Sequence, residues 1–169
     1  MRLTAVWTIA AALLTGTVFA TGLATETVLA STPPTAVADA VPLDVLFGEM
    51  ELFGLWALDC RRQPTPANPH FRIGTPDPGI VEEVHDHGPE FGANRYRIVS
   101  AQRSGEDLLE VVAVFQPGTA AEQRQTLVFQ IGRGTRRTMF NQPEGAAVRV
   151  KDGVVVATGR RTPLMRKCE

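Results

Sequence analysis

The chain has 169 residues, of which 44% are hydrophobic and 21% are charged, and its 17 basic and 18 acidic side chains nearly cancel. This length and composition fit one globular domain. The 15 Gly and 12 Pro residues are spread along the chain and disfavour long helices, which excludes a coiled coil and a membrane protein of many helices, and the apolar fraction is too high for a disordered chain. The near-zero net charge also argues against nucleic acid as a partner.

The first 40 residues have the character of a secretory leader. Residues 3–25 carry no charge and include the apolar run 9–14, as the start and middle of a signal peptide do. Small residues suited to cleavage recur along this segment, so we expect a signal peptide and leader over 1–40, with an uncertain cleavage site, and a single domain over 41–169 in the periplasm or outside the cell. The alternative is an uncleaved segment, which is then the only contact with a membrane.

The charges are unevenly distributed along the predicted domain. Residues 41–123 hold 6 basic and 13 acidic side chains, whereas residues 124–169 hold 10 basic and 3 acidic ones. The two parts attract each other, so these charges can be satisfied inside the domain or between protomers. The alternative is a basic face that binds an anionic ligand.

The chain contains two cysteines, Cys60 near the start of the predicted domain and Cys168 at its penultimate position. In an oxidising compartment two such thiols are expected to pair. Their spacing is unlike the Cys-x-x-Cys of a redox pair. We therefore predict a structural disulfide that ties the two ends of the domain together.

Short alternating segments follow one another through the domain. In residues 125–131, Leu127, Phe129 and Ile131 fall on one face and polar side chains on the other, which is the period of a half-buried strand. Asp152 and Gly153 separate two valine-rich segments and predict a two-residue hairpin turn. Strands are predicted over 54–61, 69–74, 79–87, 94–103, 107–116, 124–132, 135–141, 146–151 and 154–160.

One helix is predicted before the first strand. Pro42 suits a first turn, and Leu43, Leu46, Phe47 and Met50 form one apolar face. A short N-terminal helix and about eight or nine sequential hairpin strands predict an all-β fold, an antiparallel up-and-down β-barrel, with a sandwich as the alternative. We favour the barrel because its closure removes exposed strand edges.

A resemblance to a known family supports this fold. Gly54-Leu55-Trp56, directly after the helix, resembles the Gly-x-Trp signature of lipocalins, although the Thr-Asp-Tyr element of that family has no counterpart here. The resemblance implies an eight-stranded barrel whose Trp closes one end beneath a basic residue of the last strand, for which Arg160 and Arg161 are the candidates. Residues 54–60, 68–69 and 166–168 also resemble small exported bacterial proteins of unknown role, which supports the disulfide and implies no activity.

Few residues have the pattern of a catalytic or metal site. There is no Gly-x-Ser-x-Gly elbow and no dinucleotide loop, so an enzyme is not favoured and no cofactor is expected. His85 and His87 would lie on the same face of a strand, about 7 Å apart. With Glu83, and a further ligand such as His70, they could bind Zn²⁺ or Cu²⁺. The alternative is the polar end of a strand.

The sequence is compatible with two functions. The first is an exported binding protein that holds a small apolar or amphipathic ligand in a lipocalin-like barrel, lined by Trp56, Tyr96, Phe129 and Phe140. The second is a partner-binding or inhibitor-like domain with a filled core, acting through its loops on a protein partner that the sequence does not identify. Glu110 shares a face with apolar neighbours in the predicted 107–116 strand, which suggests a carboxylate that needs an Arg or an opening to solvent.

Overall fold

The computed structural model describes residues 41–169, and the predicted signal peptide lies outside them. The domain has one short helix, α1 (Leu43–Glu49), followed by strands only. The strands are β1 (Gly54–Ala57), β2 (His70–Asp77), β3 (Ile80–Asp86), β4 (Asn94–Arg103), β5 (Leu108–Phe115), β6 (Gln123–Gly132), β7 (Thr135–Pro143), β8 (Val150–Lys151), β9 (Val154–Val155), β10 (Arg160–Arg161) and β11 (Met165–Lys167).

The strands form a closed antiparallel barrel. Strands β1 to β7 pair in sequence order around the wall, except that β11 lies between β7 and β1 and so closes the ring. The start of β7 pairs with β11, and its end pairs with β8. The wall therefore has eight strands, with β8, β9 and β10 added at the edge of β7, and the predicted all-β barrel with a short N-terminal helix is confirmed.

The C-terminal part departs from the predicted strand boundaries. Within the predicted strands 146–151 and 154–160, the structure has only the two-residue strands β8 and β9. They are joined by the expected turn at Asp152 and Gly153, where φ is 52° and 71°. The closing strand β11 was not predicted. It has three residues, too few for an alternating pattern to mark it.

The two ends of the barrel differ. Helix α1 packs against β3 and β4, and Glu49 forms a salt bridge of 3.5 Å with Arg103, the last residue of β4. Because successive strands of a meander run in opposite directions, the β2–β3, β4–β5 and β6–β7 turns lie at this helix end. The connections 58–69, 87–93, 116–122 and 144–149 lie at the opposite end, which we call the open end.

The predicted disulfide is present. Cys60 and Cys168, separated by 108 residues, have Cα atoms 5.6 Å apart. The Cys168 N–H donates to the Leu55 carbonyl oxygen at 2.8 Å, so the bond fixes the end of β11 beside β1. Buried Asn68 orders the loop that carries Cys60, because its Oδ1 accepts from the Asp59 N–H at 2.9 Å.

Candidate ligand-binding site

The open half of the barrel contains a cavity of about 330 Å³. It is lined by residues of β2 to β7 and β11, and the β8–β10 segment contributes to one side of its wall. Alternation along each strand places every second side chain inside the barrel. Its apolar lining includes Ile98, Val111, Ala113, Leu127, Phe129 and Met165.

An ion pair forms part of the cavity lining. Glu83 on β3 and Arg136 on β7 are each 4% exposed, and Arg136 Nη2 donates to Glu83 Oε1 at 2.8 Å and to Oε2 at 3.0 Å. The Arg136 guanidinium also lies over the Phe129 ring, 4.5 Å from its centroid. This packing satisfies two charges that would be costly to bury alone.

The carboxylate of Glu83 is held in its ionised form. Burial by itself would raise the pKa of Glu83, but the charge of Arg136 and the hydrogen bond from His85 outweigh it and lower that pKa from 4.5 to about 2. His85 Nε2 lies 2.6 Å from Glu83 Oε1. Since an ionised carboxylate only accepts hydrogen bonds, His85 Nε2 must carry the proton of this bond.

Aromatic rings surround His85. Phe71 stacks on it with centroids 3.7 Å apart, and the Tyr96 ring lies 4.6 Å away and in turn contacts Phe115. Burial, and to a smaller extent the negative charge of Glu83, raise the pKa of Tyr96 to about 12, although the charge of Arg149 acts in the opposite direction. The enclosed Tyr96 hydroxyl therefore resists ionisation to a higher pH than an exposed tyrosine.

Two amide groups lie nearer the open end. Asn141 Nδ2 donates to Gln125 Oε1 at 2.8 Å, and both residues line the cavity. Within residues 41–169, the buried side-chain polar atoms without a hydrogen-bond partner are Gln125 Nε2 and Arg137 Nε. Both of these atoms are donors. Gln125 lies on the inner face of β6 with Leu127, whereas Arg137 follows the inward Arg136 on β7, pairs with the exposed Gln130 and lies on the outer face.

The predicted ligand-binding aromatics divide into two groups. Tyr96 and Phe129 line the cavity. Phe140 does not, because it precedes the cavity-lining Asn141 on β7 and so lies on the outer face. Trp56 is 2% exposed and lies in the apolar core, where its Nε1 donates to the Leu52 carbonyl oxygen at 2.8 Å.

The basic residue over Trp56 is not the one that the resemblance implied. Lys167 on β11 places its Nζ 5.9 Å from the Trp56 ring centroid, and Arg136 lies at the same distance. Arg160 and Arg161 are instead exposed on β10, paired with β9. The expectation was wrong because β11, and not the 154–160 segment, is the last strand of the wall.

The histidine pair lacks the surroundings of a metal centre. The rings of His85 and His87 are edge to face with centroids 6.4 Å apart, but His85 Nε2 is engaged by Glu83. Burial, and then the charge of His85, lower the pKa of His87. In residues 41–169, no group of three or more His, Cys, Asp or Glu side chains is placed to hold a metal ion, so the predicted Zn²⁺ or Cu²⁺ site has no complete donor set there.

Sequence reasoning missed Arg136 and Gln125 as site residues. Gln125 lies two residues before Leu127 on the predicted strand, so its place on the inner face could have been read from the same alternation. Arg136 gave no such signal. Glu110, which the sequence suggested as an inward carboxylate, points away from the inner face that Leu109 and Val111 form.

Comparison with known proteins gives no relative: no protein-family model, curated protein or solved structure matches the chain. Across the described part of the chain, no helix has both the length and the apolar character of a membrane span.

Proposed function

We propose that this chain is an exported binding protein that holds a small amphipathic molecule in the open-end cavity of its barrel. The observation that carries the proposal is the cavity itself. Its volume of about 330 Å³ falls at the small end of the range of about 300–1,000 Å³ that is usual for ligand sites. A mainly apolar wall with a few polar groups is also typical of such sites.

Two observations support export. Residues 1–40 have the pattern of a secretory leader, and the Cys60–Cys168 disulfide is of the kind that persists in oxidising compartments. The barrel and its Gly54-Leu55-Trp56 segment are compatible with a lipocalin-like protein. The partner-binding alternative predicted a filled core, and the cavity favours the binding protein over it.

The proposal is tested by native mass spectrometry of the full chain, expressed with its own leader and purified without denaturation. We expect a small co-purifying mass that is released when the protein unfolds. Ala113→Leu should abolish this mass, because Ala113 is 1% exposed and lines the cavity, so the larger side chain takes ligand space. Val99→Leu is the matched control, since Val99 is 43% exposed.

The outcomes are distinct. A mass that Ala113→Leu removes and Val99→Leu retains supports the cavity as the site. An equal mass in all three proteins would place the bound molecule elsewhere. No mass in any of them, together with no effect of small carboxylates, amides or amines on the NMR signals of the cavity residues, would contradict the binding function.

A further inference from the structure

We propose that the ligand is an anion, a small carboxylate whose head group lies near Gln125 and Arg149 and whose short apolar tail lies against Leu127 and Phe129. This inference rests on the binding function proposed above and assigns the chemical class of the ligand. It uses a buried donor that the described residues leave without an acceptor.

A buried donor at the cavity has no partner within the described chain. Gln125 is 2% exposed, its Oε1 is bonded to Asn141, and its Nε2 has no acceptor in residues 41–169. The other buried donor without an acceptor in these residues is Arg137 Nε, but Arg137 lies on the outer face of β7 beside Gly153 and takes no part in this site. Buried donors are rarely left unpaired in proteins. A carboxylate supplies only acceptors, so it complements the free N–H donor of Gln125.

The lining of the cavity carries an unbalanced positive charge. Glu83 and Arg136 neutralise each other, and Arg149 is the charged residue that remains at the open end of the lining. Arg149 has no acidic partner within 4.0 Å in the described chain. Its Nη2 donates only to the neutral Gln123 Oε1, at 3.2 Å. The cavity therefore has a net positive lining, as an anionic ligand requires.

The rest of the wall also suits an anion. The Tyr96 phenol lines the cavity and is protonated at neutral pH, so it is a further donor. Glu83, the one acidic residue of the lining, is already bonded to Arg136 and His85, which leaves little to attract a cation. A volume of about 330 Å³ limits the tail to a short chain or a single ring.

Three probes with the same tail test the inference: hexanoate, hexanamide and hexylamine. Each is titrated into the full chain, expressed with its leader and kept oxidised, and binding is followed by ¹⁵N NMR, including the side-chain amide signal of Gln125. We expect hexanoate to bind at least about tenfold more tightly than hexanamide, as one charge-assisted hydrogen bond allows. Hexylamine should bind most weakly, and the Gln125 amide signal should shift with hexanoate.

A matched pair of variants tests the arginine. Arg149→Gln removes an exposed charge at the cavity and should weaken hexanoate about fivefold to tenfold without changing hexanamide. Arg72→Gln removes an exposed charge on β2, away from the cavity lining, and should change neither. Both sites are exposed, so both variants are expected to fold.

The possible failures are separable. If none of the three probes shifts the cavity signals, this inference fails, and the binding function fails with it when native mass spectrometry also shows no bound mass. If hexanamide or hexylamine binds as tightly as hexanoate, the cavity binds ligands but the anion assignment is overturned. An equal effect of Arg149→Gln and Arg72→Gln on hexanoate would also overturn it, since attraction would then depend on overall charge and not on this site.

Discussion

The helix end and the open end of the barrel have the same wall but different interiors. At the helix end, α1 and the strands pack large apolar side chains together, among them Phe47, Leu52 and Leu109. At the open end the inner face carries small or polar residues, such as Ala113 and Gln125, around a cavity. An eight-stranded barrel is just wide enough for its own side chains or for one small ligand. In this barrel, the size and polarity of the inward side chains determine whether each half is filled or contains a cavity.

The largest loss of stability is expected when the disulfide that holds β11 in the barrel wall is removed. Replacing Cys60 and Cys168 by Ser removes the covalent link between β11 and the loop after β1, and with it the cross-link across 108 residues. The chain-entropy model predicts a loss of about 4 to 5 kcal/mol in the free energy of unfolding, measured by urea denaturation of the oxidised protein and the double variant. A loss below about 1 kcal/mol would show that the barrel closes without the bond.

The next largest effect is expected at the buried ion pair of Glu83 and Arg136 in the cavity wall. Arg136→Met leaves Glu83 buried without its ion-pair partner, and we expect a loss of about 3 to 5 kcal/mol in the free energy of unfolding. The control is Arg95→Met, because Arg95 is exposed and pairs with Glu82 at 2.9 Å. Its loss should stay below about 1 kcal/mol. Equal losses in urea denaturation would contradict the structural role given to the buried pair.

Truncating one leucine in each half gives a direct comparison of how tightly the two halves are packed. Leu109 at the helix end is 0% exposed, and Leu127 is 9% exposed and lines the cavity. Leu109→Ala should cost about 3 to 5 kcal/mol of stability, and Leu127→Ala about 2 kcal/mol, because its side chain already faces empty space and has fewer contacts to lose. Urea denaturation of both variants measures the difference. The same cost for both would mean that the open half is as tightly filled as the helix half.

Acid should act through Glu83. Since its pKa falls from 4.5 to about 2 in the folded protein, the ionised carboxylate stabilises the fold fully above pH 4.5, and this contribution is lost as the pH falls towards 2. We expect roughly 3 kcal/mol of stability to disappear over this interval. A Glu83→Gln and Arg136→Met double variant should lose less over the same interval in urea denaturation. Parallel acid profiles of the two proteins would contradict the assignment.

The smallest effect is spectroscopic. Tyr96 is the single tyrosine of the chain, so ultraviolet absorbance during alkaline titration reports it alone. Its raised pKa predicts a midpoint of about 12 in the folded protein and about 10 in urea, so its contribution to stability is complete below pH 10 and is lost as the pH rises through 12. A folded midpoint near 10 would mean that the ring is not enclosed by the cavity wall.

The sequence predicts the wall of the barrel better than its contents. Hairpin turns and alternation predicted the central strands, and the two cysteines predicted the disulfide. The inner face of β5 is harder to predict. Residues 108–115 are apolar at almost every position, so no alternation of polar and apolar residues shows which side chains face the barrel interior. The sequence therefore suggests Glu110 as an inward carboxylate, whereas in the structure the buried carboxylate is Glu83. Its partner Arg136 lies 53 residues away, a contact that only the closed barrel creates.

The most direct test of the central claim is to locate a bound ligand by intermolecular NOEs, using whichever of the three six-carbon probes binds most tightly. The account predicts contacts from the probe to the methyl groups of Val111 and Leu127, which line the cavity. Contacts confined to exposed methyl groups such as those of Val99 and Val156, or no contacts to the cavity wall at all, would contradict it.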